Sequence, residues 1–185
     1  MDNSAYLDFC YKQYLGELSE VDNIYRRGGI LLTAIVILFG GLISLGDLSR
    51  LSYFGTRLDA SLYSILLLIT VALLCIATVR LMGVFKPVKY ERVARSVSLN
   101  EWRAKYESMI KESGISEISQ IDTILAHETQ RAVTTRLAEA SSHNFDMNRR
   151  RLGLFEQAFH CIMWSVPTVG ALAALDLWMT LLGVQ

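Results

Sequence analysis

A chain of 185 residues, 52% hydrophobic and carrying eighteen basic against eighteen acidic side chains, has room for one compact unit and no cationic excess to favour nucleic acid. Its three cysteines, Cys10, Cys75 and Cys161, are odd in number and far apart, so they imply neither a disulfide framework nor a zinc site. The apolar residues gather in three blocks, and the neutral total conceals a sharp asymmetry in where the charges fall.

The amino-terminal stretch, residues 1–27, predicts an amphipathic helix. Leu7, Tyr11, Tyr14, Leu18, Val21 and Tyr25 recur at steps of four and three, while Asp8, Glu17, Glu20 and Asp22 face water. Because this segment is acidic until Arg26 and Arg27, its apolar stripe is expected to meet a partner helix rather than a membrane surface. Residues 28–46 follow as a first span without charge. No small-residue cleavage site follows it, so it is expected to remain as an anchor. Within it Gly40 and Ser44 form a small-residue pair suited to helix packing. Residues 47–59 are too few for a domain and predict a short external loop.

Residues 60–79, ASLYSILLLITVALLCIATV, form the stretch that dictates the rest. Twenty residues pass without a charge and eleven are Leu, Ile or Val. At about 1.5 Å per residue such a helix matches a bilayer of about 30 Å. Arg80, Lys86, Lys89, Arg92 and Arg95 come next, and Pro87 predicts the end or a kink of the helix. Thirteen of the eighteen Lys and Arg lie between Arg80 and Arg151, which by charge bias assigns the amino terminus and residues 80–156 to the cytoplasm.

Those residues read as helical throughout. Ser98 and Glu101 have capping-box spacing ahead of a helix bearing Leu99, Trp102, Tyr106, Met109 and Ile110, and Gly114 is placed to stop it. From Ser116 nothing interrupts the pattern until Gly153, and Ile118, Ile121, Leu125, Ala132, Val133, Leu137, Ala140 and Met147 trace a drifting apolar stripe. The third span, residues 157–178, is the least apolar. A span diluted by His160, Ser165, Pro167 and Thr168 is expected to face protein or water, which makes His160, Ser165 and Thr168 pore-lining candidates. Gly170 and Ala174 repeat the helix-packing spacing. Residues 179–185 are the external tail.

The expected fold class is therefore all-α: a membrane protein of three transmembrane helices, with a cytoplasmic helical bundle built on a long helix that continues into the third span. No nucleotide-binding glycine pattern, HExxH or CxxC is present, and neither a catalytic centre, a cofactor nor a metal site is expected. Arg136 and His143, seven apart on one face of the long helix, have the Arg-x6-His spacing of HEPN-type ribonucleases, although Leu137 stands where those enzymes carry a polar residue.

The amphipathic lead-in YLGELSEVDNIYRRGG, the two-span hairpin, the segment KYERVARSVSLNEWRAKYESM and the helix HETQRAVTTRLAEASSHNFDMNRRRLGLFEQAF together resemble the small transmembrane effectors of bacterial anti-phage signalling, the Pycsar transmembrane effectors and SLATT-type proteins. The resemblance is architectural and covers nearly the full chain. It implies an oligomeric, non-enzymatic inner-membrane effector that perturbs or permeabilises the membrane on a signal. Expected partners are membrane lipid, further copies of the chain, and a nucleotide second messenger or soluble defence partner, with no nucleic acid. Two other readings stand beside it, a membrane adaptor that recruits a soluble partner and a membrane-tethered HEPN-like ribonuclease.

Overall fold

The computed structural model describes residues 3–45, 57–92, 96–114 and 117–181. Among them there are four helices and no strand: α1 (Asn3–Leu45), α2 (Arg57–Phe85), α3 (Ser96–Glu112) and α4 (Ile118–Leu181). The lead-in and the first span are one uninterrupted helix of 43 residues. The long helix and the third span are likewise one helix of 64 residues. Most of residues 47–59, expected as the external loop, the side chains of Ser98 and Leu99, and the last four residues lie outside the described residues.

The long helix continues through Gly153 as expected, since its neighbours on both sides are good helix formers and a lone glycine costs only about 1 kcal/mol. Two expectations are corrected. Residues 80–156 are not helical throughout, since Lys86–Arg92 is non-helical. Pro87 clashes with the preceding turn and disfavours helical backbone at Lys86, so α2 stops at Phe85. The second correction concerns compactness: the chain forms two compact units where composition predicts one, residues 1–22 with 88–149 and residues 23–87 with 150–185. Each of the two longest helices contributes residues to both.

In the first unit Cys10 and Tyr14 of α1 bury against Leu137 and Ala140 of α4, with Leu7, Leu18, Val133 and Ala138 around them. The expected partner helix is thus α4. Tyr11, expected on that stripe, is exposed, and Cys10 takes its place one residue earlier. Along α3, Ile110 is buried while Met109 is exposed. That helix begins at Ser96, ahead of the expected Ser98 cap, and ends where Gly114 adopts a φ of +91°, a left-handed conformation that costs a glycine nothing. On α4 Ile121 and Leu125 are buried but Ile118 is not.

The second unit is built on two apolar clusters. Ile24, Leu31 and Ile35 of α1 meet Ala77, Leu81 and Val84 of α2 and Ala158 and Ile162 of α4. Further along, Leu42, Tyr63, Leu74 and Leu172 form the second cluster. Close approach is permitted at two glycines. A Cβ on Gly28 would stand 3.0 Å from the Phe85 ring, and one on Gly83 would stand 2.9 Å from Leu154.

Three helices, Ser4–Leu45, Ala60–Phe85 and Ile118–Trp178, contain stretches long and apolar enough to cross a membrane. Their outer surface is apolar as well: Ile30, Ile37, Ile43, Leu68, Val79, Met82 and Trp164 are each at least 66% exposed. Water would penalise such a surface heavily, whereas lipid would not.

Candidate functional site

The stop at Pro87 leaves the backbone of Lys86–Arg92 without helical partners, and side chains of α4 meet it at Lys86 and Glu91. In the first unit Asn144, fully buried, grips Glu91 at two points: Glu91 N–H donates to Asn144 Oδ1 at 3.0 Å, and Asn144 Nδ2 donates to the Glu91 carbonyl at 3.1 Å. One turn later Asn148, also buried, accepts from the Tyr90 hydroxyl at 2.8 Å and donates to the carbonyl of Glu17 at 2.9 Å and to its carboxylate at 3.0 Å. In a dry interior such polar groups are costly unless every one is paired, and these are. The two asparagines therefore hold residues 90 and 91 in one register on α4.

This clamp shapes a cleft of about 660 Å³. One side is lined by Lys89, Tyr90, Glu91 and Arg92, the other by Arg136, Glu139, Ala140 and His143 of α4. The seven-residue spacing of Arg136 and His143 thus brings both to the same cavity. Arg136 also pairs with Glu139 at 3.3 Å, an exposed contact that restrains the guanidinium weakly. Lys89 and Arg92, read from the sequence as topology signals, prove to be the cleft's other cations. Asn144 and Asn148 are not visible to a search for apolar stripes. Their signal is spacing: Leu137, Ser141, Asn144, Asn148 and Arg151 recur at steps of four and three, and all are buried.

The second unit carries its own polar contacts. Arg151, only 3% exposed, donates to the Lys86 carbonyl at 2.7 Å and lies 5.0 Å from the centre of the Tyr25 ring, which stacks on Phe85. Arg149 and Arg150, its neighbours in sequence, are exposed. Among the apolar helices Thr70 Oγ1 lies 2.8 Å from Thr168 Oγ1. Each hydroxyl is also 2.8 Å from a carbonyl of its own helix, that of Leu66 and that of Ser165. Ser165, fully buried, donates to the Ile162 carbonyl at 2.7 Å. Ser165 and Thr168 flank Pro167 in sequence, the residue at which α4 lacks an N–H.

The three pore-lining candidates consequently divide. Ser165 and Thr168 turn toward the other helices of their unit, whereas His160 is exposed, with the Phe159 ring edge-on at 6.2 Å between centroids. Gly40, Ser44, Gly170 and Ala174 are also exposed, and a Cβ built on Gly40 or Gly170 meets nothing within 4 Å. Among the described residues, then, the close-packing glycines are Gly28 and Gly83, while these four present small surfaces outward. No group of three or more potential metal-binding side chains occurs among the described residues. Comparison of the chain with protein-family models, with curated proteins and with solved structures finds no match.

Proposed function

We propose that the protein is a non-enzymatic membrane effector that oligomerises through its third span and perturbs the bilayer on a signal. The supporting observation is the composition of one exposed face of α4. His160, Trp164, Pro167, Gly170 and Ala174 fall within one face of that helix and none is buried. An ionisable ring and a pair of small residues make a poor surface for lipid and a good one for another helix. By the distribution of Lys and Arg, the amino terminus and residues 88–149 lie in the cytoplasm of a bacterial cell, and the carboxyl terminus lies across the inner membrane. The signal acts by binding one arrangement of the assembly better than another.

Dye-release and membrane-potential measurements on induced cells test this reading. Induction with the trigger should depolarise the membrane, and His160→Leu should abolish the effect while leaving the protein in the membrane. Disulfide trapping of Ala174→Cys should yield chain-to-chain crosslinks. A protein that stays monomeric and leaves the membrane sealed would overturn the proposal.

A second reading, an adaptor that recruits a soluble partner, is favoured by one observation. Tyr6, Phe9, Tyr11 and Leu15 of α1 are each at least 44% exposed on the two flanks of its buried stripe. An adaptor would co-purify with its partner in fixed ratio and would be harmless when overproduced alone.

A further inference from the structure

We propose that the cleft between the Lys89–Arg92 segment and α4 binds a phosphate-bearing anion. Its volume of about 660 Å³ falls within the range of about 300–1,000 Å³ typical of small-molecule sites, so it accommodates more than a bare ion. Lys89, Arg92 and Arg136 bring three basic side chains to its lining against the carboxylates of Glu91 and Glu139, and the His143 ring adds an N–H donor. Arginine and lysine differ in a way that suits such a ligand: the guanidinium forks onto two phosphate oxygens, while the ammonium serves as a point charge.

What separates this cleft from a scatter of surface charges is the way its walls are held. The wall opposite α4 is a short non-helical segment that would ordinarily wander, yet Asn144 holds it by both polar groups of one peptide residue and Asn148 holds it through Tyr90. Both asparagines are buried and both are satisfied, so the cations on the segment face those on α4 across a preformed gap. The ion pair between Arg136 and Glu139 then reads as a competitor. Glu139 occupies the guanidinium while the cleft is empty, and an incoming phosphate takes its place.

Two sources supply such a group, a free phosphate compound and the headgroup of an anionic lipid. Calorimetry on the full chain in nanodiscs of neutral phosphatidylcholine, titrated with inorganic pyrophosphate, tests the chemistry. Repeating it in nanodiscs containing phosphatidic acid tests the source. Pyrophosphate should bind in the neutral discs, and Lys89→Ala or Arg136→Ala should each weaken binding about tenfold, as expected when a charge-assisted hydrogen bond is lost. Glu139→Gln should tighten it, since it releases Arg136. This gain cannot be produced by misfolding.

If phosphatidic acid leaves pyrophosphate affinity unchanged, the ligand is a soluble phosphate; if it suppresses binding, a headgroup fills the cleft. Absence of binding in neutral discs, or binding that neither alanine variant weakens and Glu139→Gln does not tighten, would overturn the inference. The result is independent of the membrane-perturbing reading, because heat of binding and membrane leakage are measured separately and either can fail alone.

Discussion

Asn148 shows what a single buried amide can decide. Its oxygen accepts from Tyr90 and its nitrogen donates twice to Glu17, so three groups lose a partner if it is removed. Asn148→Ala should therefore cost about 2 kcal/mol, the penalty of leaving buried polar groups unpaired, and should lower the unfolding temperature by several degrees. Tyr90→Phe, which takes the hydroxyl donor from the Asn148 oxygen and leaves both bonds to Glu17 in place, should cost less. Thermal unfolding of both variants measures the difference, and equal costs would contradict the assignment.

A surface pair on α3 makes a pH prediction of the opposite kind. The Lys111 ammonium, 2.7 Å from Glu107, holds that carboxyl below the usual carboxylate range, first by a hydrogen bond and then by charge attraction. The folded value lies beneath the unfolded one, so whatever the pair contributes is complete above the unfolded pKa. That contribution fades as pH falls through the folded value. In Lys111→Met the Glu107 carboxyl should titrate higher by nuclear magnetic resonance. An unchanged titration would remove Lys111 as the cause.

The helices differ in how openly the sequence declares them. Unbroken apolar runs made α2, the later part of α1 and the last third of α4 legible, because nothing else in a short chain needs that many uncharged residues in a row. The stripe of α1 was legible apart from Tyr11, since its 3.6-residue period reports burial directly. The non-helical segment Lys86–Arg92 was not, as Pro87 marks where a helix ends but not how far the chain runs before the next begins. Nor was the clamp that holds it, because Asn144 and Asn148 look like surface residues until their spacing from Leu137 and Arg151 is counted. Arg136 and His143 were singled out by spacing alone. Only the fold reveals that Lys89 and Arg92 line the same cavity.

Glycines at two kinds of position, packed and open, make separate predictions. At Gly83 a Cβ would approach Leu154 to 2.9 Å, which alanine tolerates if the tip of that leucine moves. Gly83→Ile should overpack the contact and destabilise the fold by about 1–3 kcal/mol. Gly170, where a Cβ meets open space, should accept isoleucine without loss of single-chain stability. On the oligomeric reading the same change should block chain-to-chain crosslinking at Ala174. Unfolding in detergent together with crosslinking in membranes tests both variants, and a Gly170→Ile protein that still crosslinks would move the interface elsewhere.

At the scale of the whole molecule, two compact units share two long helices, and they differ in chemistry. One combines a small apolar core with a charged cleft; the other leaves large aliphatic side chains uncovered along three helices. A protein surface of the second kind is stable only under lipid or other apolar cover. The proposed topology places three crossings in the membrane and the charged unit on the side favoured by the Lys and Arg distribution. Accessibility of single cysteines to a membrane-impermeant maleimide, in a chain with Cys10, Cys75 and Cys161 replaced by serine, tests that topology most directly. Lys105→Cys should react only after the cells are permeabilised, and Leu181→Cys should react in intact cells. Reaction of both from the same side, or recovery of the protein in the soluble fraction without detergent, would contradict the account.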